Sequence, residues 1–219
     1  LNINNINFDN SKNLTLNVDA NISGNITESN SVSAKIFSNN NNITFNGSSS
    51  QNIAVLMGDE NNRIKQISSS NSDNVTLAKN VFVEDVAFTN ESSGGKLLIA
   101  SGFKLDVIGN ITALNPASSF IAGTDGTLDL TGSGIQNITA GLGDNSESLN
   151  NLNINNNNVV INNGITSYID NLNLNSGSIT LNSGSIIDVK NSLDLQSKTI
   201  NYAITSTTSN VAKITSTSS

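Results

Sequence analysis

The stretch NLNINNNNVVINNGITSYID, residues 151–170, is followed directly by NLNLNSGSITLNSGSIIDVK, residues 171–190, and the two lines repeat each other. Within each line, apolar residues alternate with Asn, Ser or Thr, which is typical of short strands that bury one face. Self-similarity at about 20 residues, with Asn, Gly and Ser between the strands, indicates a solenoid of stacked rungs. The matching apolar pairs are Leu152 and Leu172, Ile154 and Leu174, Val159 and Ile179, and Ile161 and Leu181.

This pattern predicts an all-β chain that folds as a right-handed parallel β-helix, a β-solenoid, of about ten rungs with about 20 to 21 residues in each. A helical repeat does not fit, because Asn, Ser, Thr and Gly are poor helix formers and no apolar stripe has the helical spacing. We expect residues 1–219 to form a single segment of this β-helix. Residues 205–219, rich in Ser and Thr, are predicted to be either a frayed last rung or a linker.

A longer repeat overlies the short one. Residues 43–59, ITFNGSSSQNIAVLMGD, align with residues 128–144, LDLTGSGIQNITAGLGD, at a spacing of 85. Duplicated blocks of this kind indicate units of about 84 residues, with four rungs predicted in each. One gap between strands is longer in the first unit, and insertions in solenoids go into loops. Neutral variation in loop length is the favoured explanation of this loop, 89–96, and a binding role is the alternative, with Asn90, Glu91, Ser92, Ser93 and Lys96 as the candidate contacts.

Asparagine dominates the composition, with 42 of 219 residues. In a β-solenoid, Asn suits turn positions of left-handed backbone conformation and stacks into side-chain ladders between rungs. A single proline leaves long rows of strand without a residue that would interrupt them. The two ends of the stack expose unpaired strands, which predicts possible end-to-end self-association. The absence of Cys is compatible with export through an oxidising compartment.

The charge argues against nucleic acid as a partner. The net charge is -7, and the ten Lys and Arg residues are spread singly, whereas phosphate binding needs clustered cations. No stretch approaches the roughly 18 apolar residues of a membrane span. The chain begins at Leu1, within a strand-like pattern, and we expect it to be part of something longer.

This sequence contains few candidate catalytic residues. The absence of His and Cys excludes a His-based triad, a thiol nucleophile and a His or Cys zinc site. Acidic pairs exist at 59–60 and 84–85, and Asp125 lies near Asp129, but Arg63 is the only Arg that could assist them. We therefore predict that these acids are solvated surface charges, that the chain is not an enzyme and that it needs no cofactor.

The segment GTDGTLDL, residues 123–130, is weakly similar to the glycine-aspartate repeat that binds calcium in β-rolls. Calcium ligands there come from successive copies of the repeat, and this chain has one imperfect copy. We therefore predict no metal site.

The Asn-rich, cysteine-free rungs, with phrases such as LDLTGSGIQNITAGLG (128–143) and LNINNNNVVINNGI (152–165), resemble the passenger regions of Gram-negative autotransporters, above all the surface cell antigens of rickettsiae. The resemblance implies a β-helical passenger segment on the bacterial cell surface, exported through the outer membrane by a C-terminal β-barrel of the same parent protein. It also implies a role in adhesion to or invasion of host cells, with a host surface protein or glycan as partner. A structural stalk or surface-layer spacer is the alternative, followed by a carbohydrate-active β-helix enzyme.

Overall fold

The computed structural model describes residues 1–8, 13–28, 34–38, 40–70, 74–90, 95–156, 158–202 and 213–216. All regular secondary structure in these ranges is β-strand. The strands pair in parallel, each with the strands one turn before and one turn after it, so the chain winds as a β-solenoid. The predicted all-β solenoid is confirmed. The same ranges contain no helix with the length and hydropathy needed to span a bilayer.

The strands, in chain order, are β1 (Asn2–Ile3), β2 (Ile6–Phe8), β3 (Leu14–Leu16), β4 (Ala20–Ile22), β5 (Ile26–Glu28), β6 (Lys35–Ser38), β7 (Asn42–Phe45), β8 (Gln51–Ile53), β9 (Leu56–Met57), β10 (Ile64–Ser69), β11 (Asn74–Leu77), β12 (Val81–Phe88), β13 (Lys96–Ile99), β14 (Lys104–Val107), β15 (Ile111–Ala113), β16 (Phe120–Leu130), β17 (Ile135–Ile138), β18 (Gly141–Leu142), β19 (Leu149–Ile154), β20 (Asn158–Ile161), β21 (Thr166–Leu174), β22 (Ser178–Leu181), β23 (Ile186–Asp194), β24 (Thr199–Tyr202) and β25 (Lys213–Ser216).

The strands lie on three faces, which the chain visits in a fixed order. Ten described strands stack on face 1: β1, β4, β7, β10, β12, β15, β17, β20, β22 and β24. Face 2 begins with β2, β5, β8, β11 and β13. Face 3 begins with β3, β6 and β9 and continues through β14 and β19. Long strands such as β16 and β21 bend from face 2 onto face 3, so one strand serves two faces.

In most strands, such as β7, β13 and β20, alternate residues point to the axis and form continuous apolar columns. Each inward Ile or Leu contributes roughly 1.5–3 kcal/mol by leaving water. The four apolar pairs predicted from residues 151–190 are confirmed as neighbours in the stack, with exposed fractions of at most 1%. One column on face 1 consists of Ala20, Ile43, Ile67, Val86, Ile111, Ile138, Ile161 and Leu181.

The turns of the solenoid vary more in length than predicted. The spacing of the short repeat holds within residues 151–190, where the strands of successive turns pair in the expected register. Elsewhere Ile3 pairs with Ile22, which makes a shorter turn, and Ile111 pairs with Ile138, which makes a much longer one. The range arises because corners accept extra residues while the inward positions of the strands stay in register. The predicted rung length therefore describes one region of the molecule and not the whole.

The long repeat appears in the structure as repeated hydrogen bonds. Gln51 is buried, and its Nε2 donates to the carbonyl oxygens of Ile22 (3.0 Å) and Gly24 (2.7 Å). Gln136 is also buried, and its Nε2 donates to the carbonyl oxygens of Val107 (2.9 Å) and Gly109 (2.8 Å), which match Ile22 and Gly24 in the long repeat. Each glutamine thus fixes a corner of the preceding turn, and the two corners are copies of each other.

The prediction of four rungs per long unit is wrong. From β4 to its counterpart β14 the chain passes eleven faces, and three faces make one turn, so the unit falls one face short of four turns. The cause is turn length: Ala20 pairs with Ile43 and Val86 with Ile111, so turns in this region are longer than the short repeat suggests. The matching glutamines consequently lie on different faces, the first on face 2 and the second on face 1.

Asparagine side chains connect successive turns in two ways. On face 3 they form a ladder, in which Nδ2 of Asn173 donates to Asn153 Oδ1 (2.8 Å) and Nδ2 of Asn153 donates to Asp129 Oδ1 (2.8 Å). At the corners, the Asn side chain of one turn caps the backbone of the next: Oδ1 of Asn25 accepts from the N–H of Asn52 at 2.7 Å. The predicted ladders are confirmed.

The predicted use of Asn in left-handed turns is mostly wrong. In the described ranges, Asn40 is the one Asn with positive φ, at 57°, whereas seven glycines have φ in the positive region. The abundance of Asn therefore reflects contacts between turns more than the conformation of single residues.

Candidate binding groove

Loop A, residues 58–63, projects from face 3 between β9 and β10. It begins at Gly58 with φ of 66°, where a Cβ would lie 2.7 Å from a carbonyl oxygen of the next turn. The Asp59 carboxylate accepts hydrogen bonds from the N–H groups of Asn61 (3.0 Å) and Asn62 (2.9 Å). Such Asx contacts fix the backbone of a turn. Loop A therefore presents its exposed side chains from a defined position.

A groove of about 440 Å³ opens beside loop A. Its lining comes from several turns of the solenoid, because residues 15, 37 and 84 lie on different strands. Together they supply an aromatic ring, amides, a hydroxyl, a guanidinium and a carboxylate, which are groups that bind polar ligands. The lining includes Thr15, Phe37, Asn40, Asn61, Asn62, Arg63 and Glu84.

A charge network supports the groove from behind. Arg63 Nη1 lies 2.9 Å from Asp106 Oδ1, and Lys104 Nζ lies 3.3 Å from carboxylate oxygens of both Asp106 and Asp129. Both cations also lie over the ring of Phe82, at 5.6 and 5.1 Å from its centroid. Partial burial lowers the pKa of Lys104, but the two carboxylates outweigh it and leave this pKa above its ordinary value. Arg63 is therefore held firmly at the groove.

Two further ion pairs flank the groove. Lys65 Nζ contacts Glu84 Oε2, and this hydrogen bond raises the pKa of Lys65. Lys35 Nζ lies 3.8 Å from Asp59 Oδ2. Desolvation raises the pKa of Asp59, but hydrogen bonds from Asn62 and Asn61 outweigh this effect. The pKa of Asp59 is therefore below its ordinary value. Each charged residue of the groove thus has a partner of opposite sign.

Loop B, residues 143–148, repeats the backbone of loop A on face 2. Gly143 has φ of 69°, and the carboxylate of Asp144 accepts from the N–H groups of Ser146 (2.8 Å) and Glu147 (2.7 Å). Burial raises the pKa of Asp144, but these hydrogen bonds outweigh it and lower the pKa overall. The frames of the two loops are the same, and their exposed side chains differ.

Asn90 and Lys96, two of the candidate contacts from the sequence, do not line this groove. Asn90 donates through Nδ2 to the carbonyl oxygen of Ser70 at 3.2 Å. Lys96 pairs with Glu147 of loop B at 2.9 Å and lies 4.9 Å from the ring centroid of Phe120. Both side chains are thus held against the solenoid. The other predicted contacts, Glu91, Ser92 and Ser93, lie outside the described residues, and a binding role for this loop remains a prediction.

Four members of the acidic pairs, Asp59, Glu84, Asp85 and Asp129, have structural partners. Oδ1 of Asp85 accepts from the N–H of Asn110 at 2.7 Å, at a corner of the solenoid. Asp129 contacts Lys104, as described above, while the side chain of Asp125 lies outside the described residues. Within the residues whose side chains are described, no group of three or more His, Cys, Asp or Glu could hold a metal ion.

Comparison with known proteins gives no relative. The chain matches no protein-family description, no curated protein and no solved structure. The sequence did contain one signal for the groove: the aligned repeats 43–59 and 128–144 agree up to the Asp of each loop and diverge directly after it.

Proposed function

We propose that this solenoid is a surface-displayed adhesion module, a segment of an autotransporter passenger that contacts host cells. The observation that carries the proposal is the groove beside loop A, where polar side chains on a fixed loop backbone and an aromatic ring meet on the side of a continuous stack. A stack of this kind suits display, because contacts between neighbouring turns along its length keep it extended. Loop A is positioned to meet a ligand that approaches from the side.

A structural spacer is the second candidate, and one observation favours it. In the described part of the chain, six cations lie 4.9 to 6.0 Å from aromatic ring centroids, at Phe37, Phe82, Phe103, Phe120 and Tyr168. Outside the groove, these rings are covered by side chains of the same protein, which limits their contact with a partner, whereas the ring of Phe37 is half-buried and lines the groove. A spacer needs surfaces of this self-contained kind.

Binding to mammalian epithelial cells separates the two candidates. The labelled chain is added across a concentration series, beside a variant with Glu60→Ala and Asn61→Ala in loop A. The control carries Asn145→Ala in loop B, where the side chain is also exposed. Adhesion through the groove predicts saturable binding that the loop A variant loses and the control keeps. Binding that rises linearly for all three proteins would establish a spacer.

A further inference from the structure

We infer that the groove beside loop A binds a neutral sugar, a hexose or N-acetylhexosamine at the end of a glycan. This inference rests on the proposed function, because it names the ligand class of the adhesion site. Sugars present hydroxyl groups around a ring that has apolar C–H faces. A sugar site therefore needs paired donors and acceptors beside a flat apolar surface. The groove combines these features: Asn61, Asn62 and Thr15 are exposed, and the ring of Phe37 is half-buried beside them.

The charges of the groove favour a neutral ligand. Arg63 is paired with Asp106 at 2.9 Å, and the side chain of Asp106 is only 4% exposed. Glu84 is paired with Lys65, and Lys35 with a loop carboxylate. A carboxylated or sulfated sugar would have to compete with these carboxylates for their cations. A hydroxyl group can instead form hydrogen bonds to the solvent-facing atoms of these ion pairs without displacing either partner.

The backbone of loop A is held in place before a ligand arrives. The backbone of loop A is fixed by Asp59, and Nδ2 of Asn62 donates to the same carboxylate at 3.2 Å. Asn40, across the lining, has the left-handed backbone conformation with φ of 57°. Less conformational entropy is lost on binding when the contacting groups are already ordered. Weak individual hydrogen bonds to a sugar can then give measurable affinity.

Loop B supplies an internal control. It has the same Gly and Asp frame, but Ser146, Glu147 and Ser148 stand where loop A has two Asn residues and Arg63. If the backbone frame alone bound sugars, both loops would respond to them. If the side chains of loop A are required, only loop A responds.

The test is an NMR titration of the isotopically labelled chain with methyl glycosides of galactose, mannose and N-acetylglucosamine, and with the methyl glycoside of sialic acid. We expect saturating shifts at Asn61 and Asn62 for one or more neutral sugars. Asn61→Ala should weaken that binding about tenfold, the loss of one to two hydrogen bonds. Thr15→Lys, which fills the groove from an exposed position, should abolish it.

The control Asn145→Ala should leave sugar affinity unchanged. No shift with any sugar up to the millimolar range, or shifts with sialic acid alone, would overturn the inference. Shifts at loop B equal to those at loop A would overturn it as well. The outcome is separable from the proposed function: cells that bind the chain saturably while no sugar does would indicate a protein receptor. Sugar binding without saturable cell binding would contradict adhesion and leave the sugar site intact.

Discussion

Loops A and B are two copies of one structure with different surfaces. Both begin at a glycine with positive φ, at 66° and 69°, and both are closed by an Asp carboxylate that caps two backbone N–H groups. Loop A then places Arg63 against buried Asp106, whereas Ser148 of loop B donates to Asp170 at 2.7 Å. The glycine and the aspartate that fix the backbone are the same in both loops, and the residues that follow them differ. Differences between the copies therefore locate the positions where function could diverge.

The largest effect is expected from the core that both loops share. Ile179 is 1% exposed and stacks between Val159 and Ile200. Ile179→Asp buries a carboxylate without a partner, and we expect a loss of more than about 4 kcal/mol of unfolding free energy. Thermal unfolding followed by circular dichroism should lose its cooperative transition. Thr180→Asp, at the outward neighbour, should keep that transition, and an unchanged melt for the Ile179 variant would contradict the described core.

Arg63 and Ser148 test the divergence directly. Arg63→Ala removes a partner from Asp106, whose side chain is 4% exposed, and should cost about 3 kcal/mol even though Lys104 remains nearby. Ser148→Ala removes one partly buried hydrogen bond and should cost about 1 kcal/mol. Urea unfolding of the two variants measures the difference. Equal costs would mean that the ion pair of loop A adds no more stability than the single hydrogen bond of loop B.

The buried glutamines test what the copies share. Gln51→Leu leaves the carbonyl oxygens of Ile22 and Gly24 without these donors, which should cost about 2 kcal/mol. Gln136→Leu should cost about as much, because it makes the same pair of bonds. Urea unfolding of both variants gives the comparison. A large difference between them would show that the two corners are not energetically equivalent, although they occupy matching positions in the long repeat.

The smallest effect is expected from pH. The pKa values of Asp59 and Asp144 are both below the ordinary 3.8, so the folded state favours their ionised forms. Their contribution to stability is present above the unfolded pKa and is lost as the pH falls through the lower folded pKa. Asp59→Asn and Asp144→Asn should each make the melting temperature less sensitive to acid below pH about 4. An unchanged acid dependence in both variants would contradict the capping role.

The sequence predicted the fold where turns are equal in length. Residues 151–170 and 171–190 match position by position, so their alternation gave the inward pairs directly, including Leu152 with Leu172. Elsewhere the corners absorb different numbers of residues, and the sequence does not show which strand lies above which. The count of four turns per long unit failed for this reason.

The groove could not be predicted by the same method. Its residues Thr15, Phe37 and Arg63 meet because β3 pairs with β6 and β6 with β9, which places them on successive turns. No motif marks that register. The long gap at 89–96 is evident in the sequence, and it placed the candidate contacts on a different turn. Loop A is shorter, and in the sequence it shows only as the point where the match between residues 43–59 and 128–144 ends.

The long repeat is one face short of four full turns, and this shortfall determines how the two copies of a loop are oriented. A unit of eleven faces returns a motif to the stack rotated by one face, a third of a revolution about the axis. Loop A and loop B accordingly look out in different directions. Three such units in succession would bring a motif back above its starting point. Repetition at this length therefore distributes the copies of a loop around the circumference of the stack instead of along one side of it.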